Sequence, residues 1–168
     1  ANDNRLVIGL IDTAVQPLGG NLDKFLLKQI EVAGPAQLDS SSPSHGTSMA
    51  ESMLRGLERM TQGNTPVQIL PIDVYGGNDY TSTFDVAAGI VTAVNKGAKV
   101  INLSLGSEGD SPFLHDIIQE VNRLNIPVFA AAGNQPVTTP YFPAAYPEVM
   151  AVTAIDHGQI ANYASRGS

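Results

Sequence analysis

Apolar positions gather in five short runs, and the stretches between them repeat their apolar residues every three or four positions. The runs are RLVIGLID (5–12), VQILPIDVY (67–75), KVINLSL (99–105), PVFAAAG (127–133) and VMAVTAID (149–156). Each is short and almost continuously apolar, as expected of parallel strands covered on both faces. Three helical patterns separate them. HGTSMAESMLRGLERM (45–60) sets Met49, Met53, Leu57 and Met60 along one stripe. TFDVAAGIVTAVNKG (83–97) follows a Ser/Thr cluster and stops at Gly97, a residue suited to the position after a helix. SPFLHDIIQEVNRLN (111–125) offers Ser111 as N-cap and Pro112 in the first turn. Strands alternating with helices predict right-handed crossovers and an α/β fold. The expectation is a doubly wound parallel sheet with helices on both faces, in three layers. Segments 13–23, 34–45, 76–82 and 134–148 are rich in Pro, Gly, Ser and Asn and read as loops. No repeat, low-complexity tract or linker interrupts the pattern, so residues 1–168 read as a single domain.

Composition narrows the partners. Apolar residues make up 43% of the 168 and charged residues 15%, a globular balance rather than a disordered one. The net charge is −7, and the nine Lys and Arg residues are scattered singly. No basic cluster is present to neutralise phosphates, so nucleic acid is not an expected partner. No apolar run approaches the roughly 18 residues of a membrane span. There is no cysteine, which removes disulfides and thiolate zinc sites and suits an exported bacterial protein. No signal segment is visible before the first strand.

In doubly wound sheets ligands collect at the carboxyl ends of the strands. Small and polar residues follow the strands here: Asp12-Thr13, Gly76-Gly77, Ser104-Leu105-Gly106 and Gly133-Asn134. Any one of them is an ordinary turn or cap residue. Asp12 alone is a strand-end acid, His45 alone opens a helix, and Asn134 alone completes a Gly-Asn turn. Their shared edge is what makes a site.

Taken in order, these segments resemble the subtilisin-like serine proteases. VIGLIDTAV is similar to that family's aspartate strand, and SHGTSMAE to its histidine helix. VINLSLGS is similar to the strand lining its substrate cleft, and VFAAAGN to the segment carrying its oxyanion asparagine. YFPAAYPEVMAVTAID is similar to the segment that follows. Five motifs in one order are far more specific than any one of them. The resemblance implies a serine endopeptidase with His45 as general base and Asp12 holding its imidazole. Asn134 would donate its side-chain amide to the developing oxyanion. Ser104, Leu105 and Gly106, with Gly133, would line an extended peptide by strand addition. Asp79, Tyr80 and Thr81 would form the opposing edge. The implied partner is a peptide or protein substrate, with a propeptide or inhibitor as further candidates, in a secreted or periplasmic setting. No cofactor is implied, and no metal is assigned, because the family's calcium loops find no match here.

The nucleophile is the missing piece. Ser48 sits in Gly-Thr-Ser-Met-Ala, the spelling of the family's serine motif, but no proline follows and it precedes Asn134. The family's order is Asp, His, Ser. A mid-helix serine is expected to bond its own i−4 carbonyl. Ser165 and Ser168 fall in a tail that resembles a polar loop. The expectation is a subtilase domain that stops before its serine and is inactive alone, with self-association through the surface so exposed. The alternative is a non-catalytic pseudoprotease acting as a peptide-binding scaffold. Phosphate-binding glycine motifs and a Gly-x-Ser-x-Gly elbow are absent, which disfavours other doubly wound enzymes. Three departures from the family stand out. Ala14 replaces a glycine, Ser48 a second histidine, and Glu51 a small residue, so Glu51 needs a partner or an exit to solvent. His115 and His157 read as solvated surface histidines. Tyr141 falls near the expected floor of the primary specificity pocket, which would make that pocket shallow.

Overall fold

The computed structural model describes residues 5–133, 139–153, 155–156 and 159–160. Strand β1 is Leu6–Asp12, β2 Ile30–Glu31, β3 Val67–Asp73, β4 Val100–Leu103, β5 Val128–Ala131 and β6 Val149–Val152. Helices α1 (His45–Thr61), α2 (Thr83–Asn95) and α3 (Pro112–Arg123) connect them. The six strands form one sheet in the order β2-β3-β1-β4-β5-β6, and every pairing in it is parallel. A small antiparallel pair, β7 (Ile155–Asp156) and β8 (Gln159–Ile160), follows.

The alternation of each strand decides which helix it meets. Leu10 and Ile69 face α1 and pack with Leu22, Ala50 and Leu54. Ile11, Leu70, Ile72 and Leu103 face the other way and pack with Val86 and Ile90 of α2 and Ile118 of α3. This gives the expected three layers. Full burial of a leucine or isoleucine contributes about 1.5–3 kcal/mol, so Leu54, Leu10 and Ile69 suffice to seat α1 on the sheet.

Element ends fall within two residues of the sequence reading, except in the run 149–156. The run 67–75 leaves the sheet at Asp73 because Asp73 Oδ1 accepts the N–H groups of Tyr75 (2.9 Å) and Gly76 (3.0 Å), turning the backbone there. The run 149–156 breaks after Val152, where pairing with β5 ends. Edge strand β2 is only two residues long and gave no periodic signal. The stripe on α1 is also corrected. Met49, Met53 and Leu57 are partly buried, but Met60 is 85% exposed, and Ala50 and Leu54 form the buried face. Gly97 takes its expected place after α2, at φ +89°.

The join between α1 and β1 is unusually close. Gly46 N–H donates to Thr13 Oγ1 at 2.8 Å, and a Cβ on Gly46 would run into the Thr13 carbonyl oxygen. Gly46→Ala must therefore lift the start of α1 from the sheet. Overpacking of this kind costs about 1–3 kcal/mol. Thermal unfolding should show that loss, and the variant's His45 resonances should move toward those of a free imidazole.

Candidate active site

The site begins with a buried acid. Asp12 ends β1 at 1% exposure, on the face that α1 covers. Its Oδ1 accepts the Thr13 N–H at 2.6 Å, which fixes the carboxylate plane. His45 opens α1 and brings Nδ1 to 2.8 Å from Asp12 Oδ1 and 3.0 Å from Oδ2. With the carboxylate accepting, Nδ1 carries the hydrogen and Nε2 is left as the basic nitrogen. The imidazole remains 57% exposed, so Nε2 is open to an incoming group.

Local sequence explains the placement. Ser44 caps α1 by accepting the Thr47 N–H at 3.1 Å, and its own hydroxyl donates to the Ala14 carbonyl at 2.5 Å. Gln16 completes the knot. Its Oε1 accepts from Ser44 N–H and Thr47 Oγ1–H, both at 2.8 Å, and its N–H donates to Thr47 Oγ1. Loop 13–16 and the first turn of α1 are thus tied at several points on either side of His45. Sequence reading missed Gln16 and Thr47 because their partners lie about thirty residues away.

The departures noted in the sequence are absorbed. Ala14 is buried and is not among the residues with positive φ, so its side chain carries no backbone strain there. Glu51 meets Arg55 one turn on, at 2.6 Å. Ser48 is exposed, and its hydroxyl donates to the Ser44 carbonyl at 3.3 Å. It therefore faces its own helix.

The other expected site residues fall into two groups. Leu105, Gly106, Asp79, Tyr80 and Thr81 share a cleft of about 190 Å³, floored by Val86 and Leu114. Tyr80 stands at its rim, 86% exposed, and Thr81 is pinned by a 2.5 Å bond from its hydroxyl to the Val74 carbonyl. Ser104 and Gly133 lie at the ends of β4 and β5, with Ser104 Oγ accepting from Asn102 Nδ2 at 2.6 Å. Asn134, His157, Ser165 and Ser168 lie outside the described residues.

One expectation needs correction, and the edge after β4 carries contacts of its own. Tyr141 O–H donates to the Gly106 carbonyl at 2.7 Å, and Ser107 exchanges backbone bonds of 2.8 and 2.7 Å with Phe142. His115 is not a solvated surface histidine. Its Nε2 meets Glu148 at 2.8 Å and its ring stacks on Tyr146 at 4.0 Å, tying α3 to the segment before β6. Among the described residues no group of three His, Cys, Asp or Glu side chains is placed to hold a metal ion. No helix among them is long and apolar enough to cross a membrane.

The model of the subtilase family of peptidases matches residues 3–168. The chain belongs to the subtilase family. It is 29% identical to fervidolysin of Fervidobacterium pennivorans over 99% of its length, covering 26% of that protein. It is 30% identical to a thermophilic serine proteinase of Bacillus sp. strain AK1, over 96% of this chain and 41% of the relative. A mutant of the protease domain of PatA superposes with a TM-score of 0.82 at 27% identity, over 97% of this chain and 62% of that one. This subtilase sequence thus spans between about a quarter and two thirds of these relatives.

The hydrogen bond that His45 donates to Asp12 raises the pKa of His45 above the ordinary 6.5. Partial burial works against the rise, and the Asp12 charge adds to it. Because the folded value lies above the unfolded one, the pair's contribution to stability is fully present below pH 6.5. It fades as pH rises through the folded value. Asp12→Asn should lower the His45 midpoint in an NMR titration. The stability gap between wild type and variant should be widest below pH 6.5 and narrow as pH rises.

Proposed function

We propose that this subtilase chain forms the acid–base half of a serine endopeptidase site. The carrying observation is the Asp12–His45 pair, with the acid buried, the imidazole held by Nδ1 and Nε2 open to solvent. His45 Nε2 takes the proton of a serine hydroxyl as that oxygen attacks the scissile carbonyl, then returns it to the leaving amine. Asp12 stabilises the imidazolium formed in between. Asn134 supplies the oxyanion donor in this reading, and the nucleophilic serine comes from outside these 168 residues. Export is part of the same reading. It is supported by the lack of cysteine and by a relative described as an extracellular serine protease, Nep of Natrialba magadii, at 28% identity. The local accommodation of Ala14, Ser48 and Glu51 supports the catalytic reading over a non-catalytic scaffold. A fluorophosphonate probe should leave the 168-residue chain unlabelled, and peptide turnover by it should be undetectable. Labelling at Ser48 or Ser165 would overturn the assignment.

The peptide lies between the 104–106 edge and the 79–81 rim, with side chains entering the cleft beside Leu105. Tyr141 sits against Gly106 and limits the room on that side, so small and medium side chains are preferred next to the cut bond. In the complete protein, Tyr141→Gly should shift preference toward large aromatics by about tenfold or more in kcat/KM. A wild-type enzyme that already prefers large aromatics would contradict this.

A further inference from the structure

The inner end of the sheet carries a second acid that the proposed chemistry does not use. Glu31, Asp73 and Asp12 are register partners on three adjacent strands, β2, β3 and β1. In a parallel sheet such partners project to the same face. The row therefore runs from exposed Glu31, through Asp73 at 0% exposure, to Asp12 at 1%. Asp73 Oδ1 is satisfied by the N–H groups of Tyr75 and Gly76. Asp73 Oδ2 is buried with no hydrogen-bond partner among the described residues. No Lys or Arg is paired with it in the ion pairs of those residues. A buried, uncompensated acid is costly, and an apolar or amide side chain would fill the position more cheaply.

We propose that Asp73 is a positioning residue for the Asp12–His45 pair: its carboxyl couples to that pair across the β3–β1 ladder and raises the pH at which His45 gives up its proton. The proposal rests on His45 being the site's base. The charged groups beside Asp73 in the row are Asp12 from β1 and Glu31 from β2, and Asp12 in turn holds the His45 imidazole. Burial pushes the Asp73 carboxyl up from its ordinary range, the two backbone N–H groups pull it down, and the charges of Glu31 and Asp12 push it up again. Its proton is therefore lost at higher pH than an ordinary aspartate's. Once lost, the new negative charge stands next to Asp12 and favours the imidazolium form of His45. The two sites titrate as a coupled set. The same position costs stability. With the folded value above the unfolded 3.8, stability relative to an uncharged isostere falls as pH rises through the folded value.

The test is an NMR titration of the 168-residue chain, which needs no turnover and so stands apart from the labelling experiment. In wild type, the Asp73 carboxyl carbon should titrate above the ordinary aspartate range, and the His45 imidazole should show an inflection at that same pH. Asp73→Asn keeps an acceptor for Tyr75 and Gly76. It should lower the His45 midpoint by about half a unit, and its melting temperature relative to wild type should climb with pH. Should that variant fail to fold, Glu31→Gln at the exposed end of the row should move both inflections down together. An Asp73 midpoint in the ordinary range, or a His45 curve with no feature at the Asp73 midpoint, would overturn the proposal. A melting difference between Asp73→Asn and wild type that does not change with pH would also overturn it.

Discussion

The bond between Asp12 and the Nδ1–H of His45 is the constraint on which the rest of the site depends. An acid at 1% exposure needs donors, and among the described residues it has two: the Thr13 N–H and the imidazole. The imidazole reaches it only because α1 starts almost in contact with the end of β1. Gly46 permits that approach, Ser44 and Thr47 cap the helix there, and Gln16 binds the loop to the cap. Apolar burial along Leu10, Leu54 and Ile69 then holds the helix down. Remove the approach and the acid loses its partner; remove the acid and the imidazole loses its orientation.

Much of this was legible in the sequence because it is local. Five apolar runs gave the sheet, and strand ends gave the edge where Asp12, His45 and Ser104 gather. The cap at Ser111, the stop at Gly97 and the inward bond of Ser48 are decided by residues within four positions. What stayed hidden depends on register or on distant partners. Asp73 looked like one polar residue in VQILPIDVY; only the pairing of β3 with β1 sets it beside Asp12. His115 looked solitary because Glu148 is 33 residues away. Met60 shares the angle of that stripe, but it lies in the last turn of α1, past Leu57, the last residue of the helix that packs into the core. The two-residue β2 is too short to leave a periodic signal at all.

The substrate side shows the same dependence on distant contacts. The stretch after β4 spells an exposed edge, yet Tyr141 and Phe142 return from beyond β5 to occupy part of it. The cleft beside Leu105 is therefore more enclosed than the motif alone implies, with Tyr141 against Gly106 and Tyr80 at the rim. Specificity in this reading comes from the loop that returns to the sheet. The proposed chemistry would come from the strand and helix ends that hold Asp12 and His45.

The central claim is that Asp12 holds the His45 proton on Nδ1 and leaves Nε2 basic. The most direct measurement is the nitrogen-15 spectrum of the His45 ring at a pH above its midpoint. Nδ1 should carry the hydrogen, and Nε2 should show the shift of an unprotonated imidazole nitrogen. A hydrogen on Nε2, or rapid averaging between the two nitrogens as in a free imidazole, would contradict it.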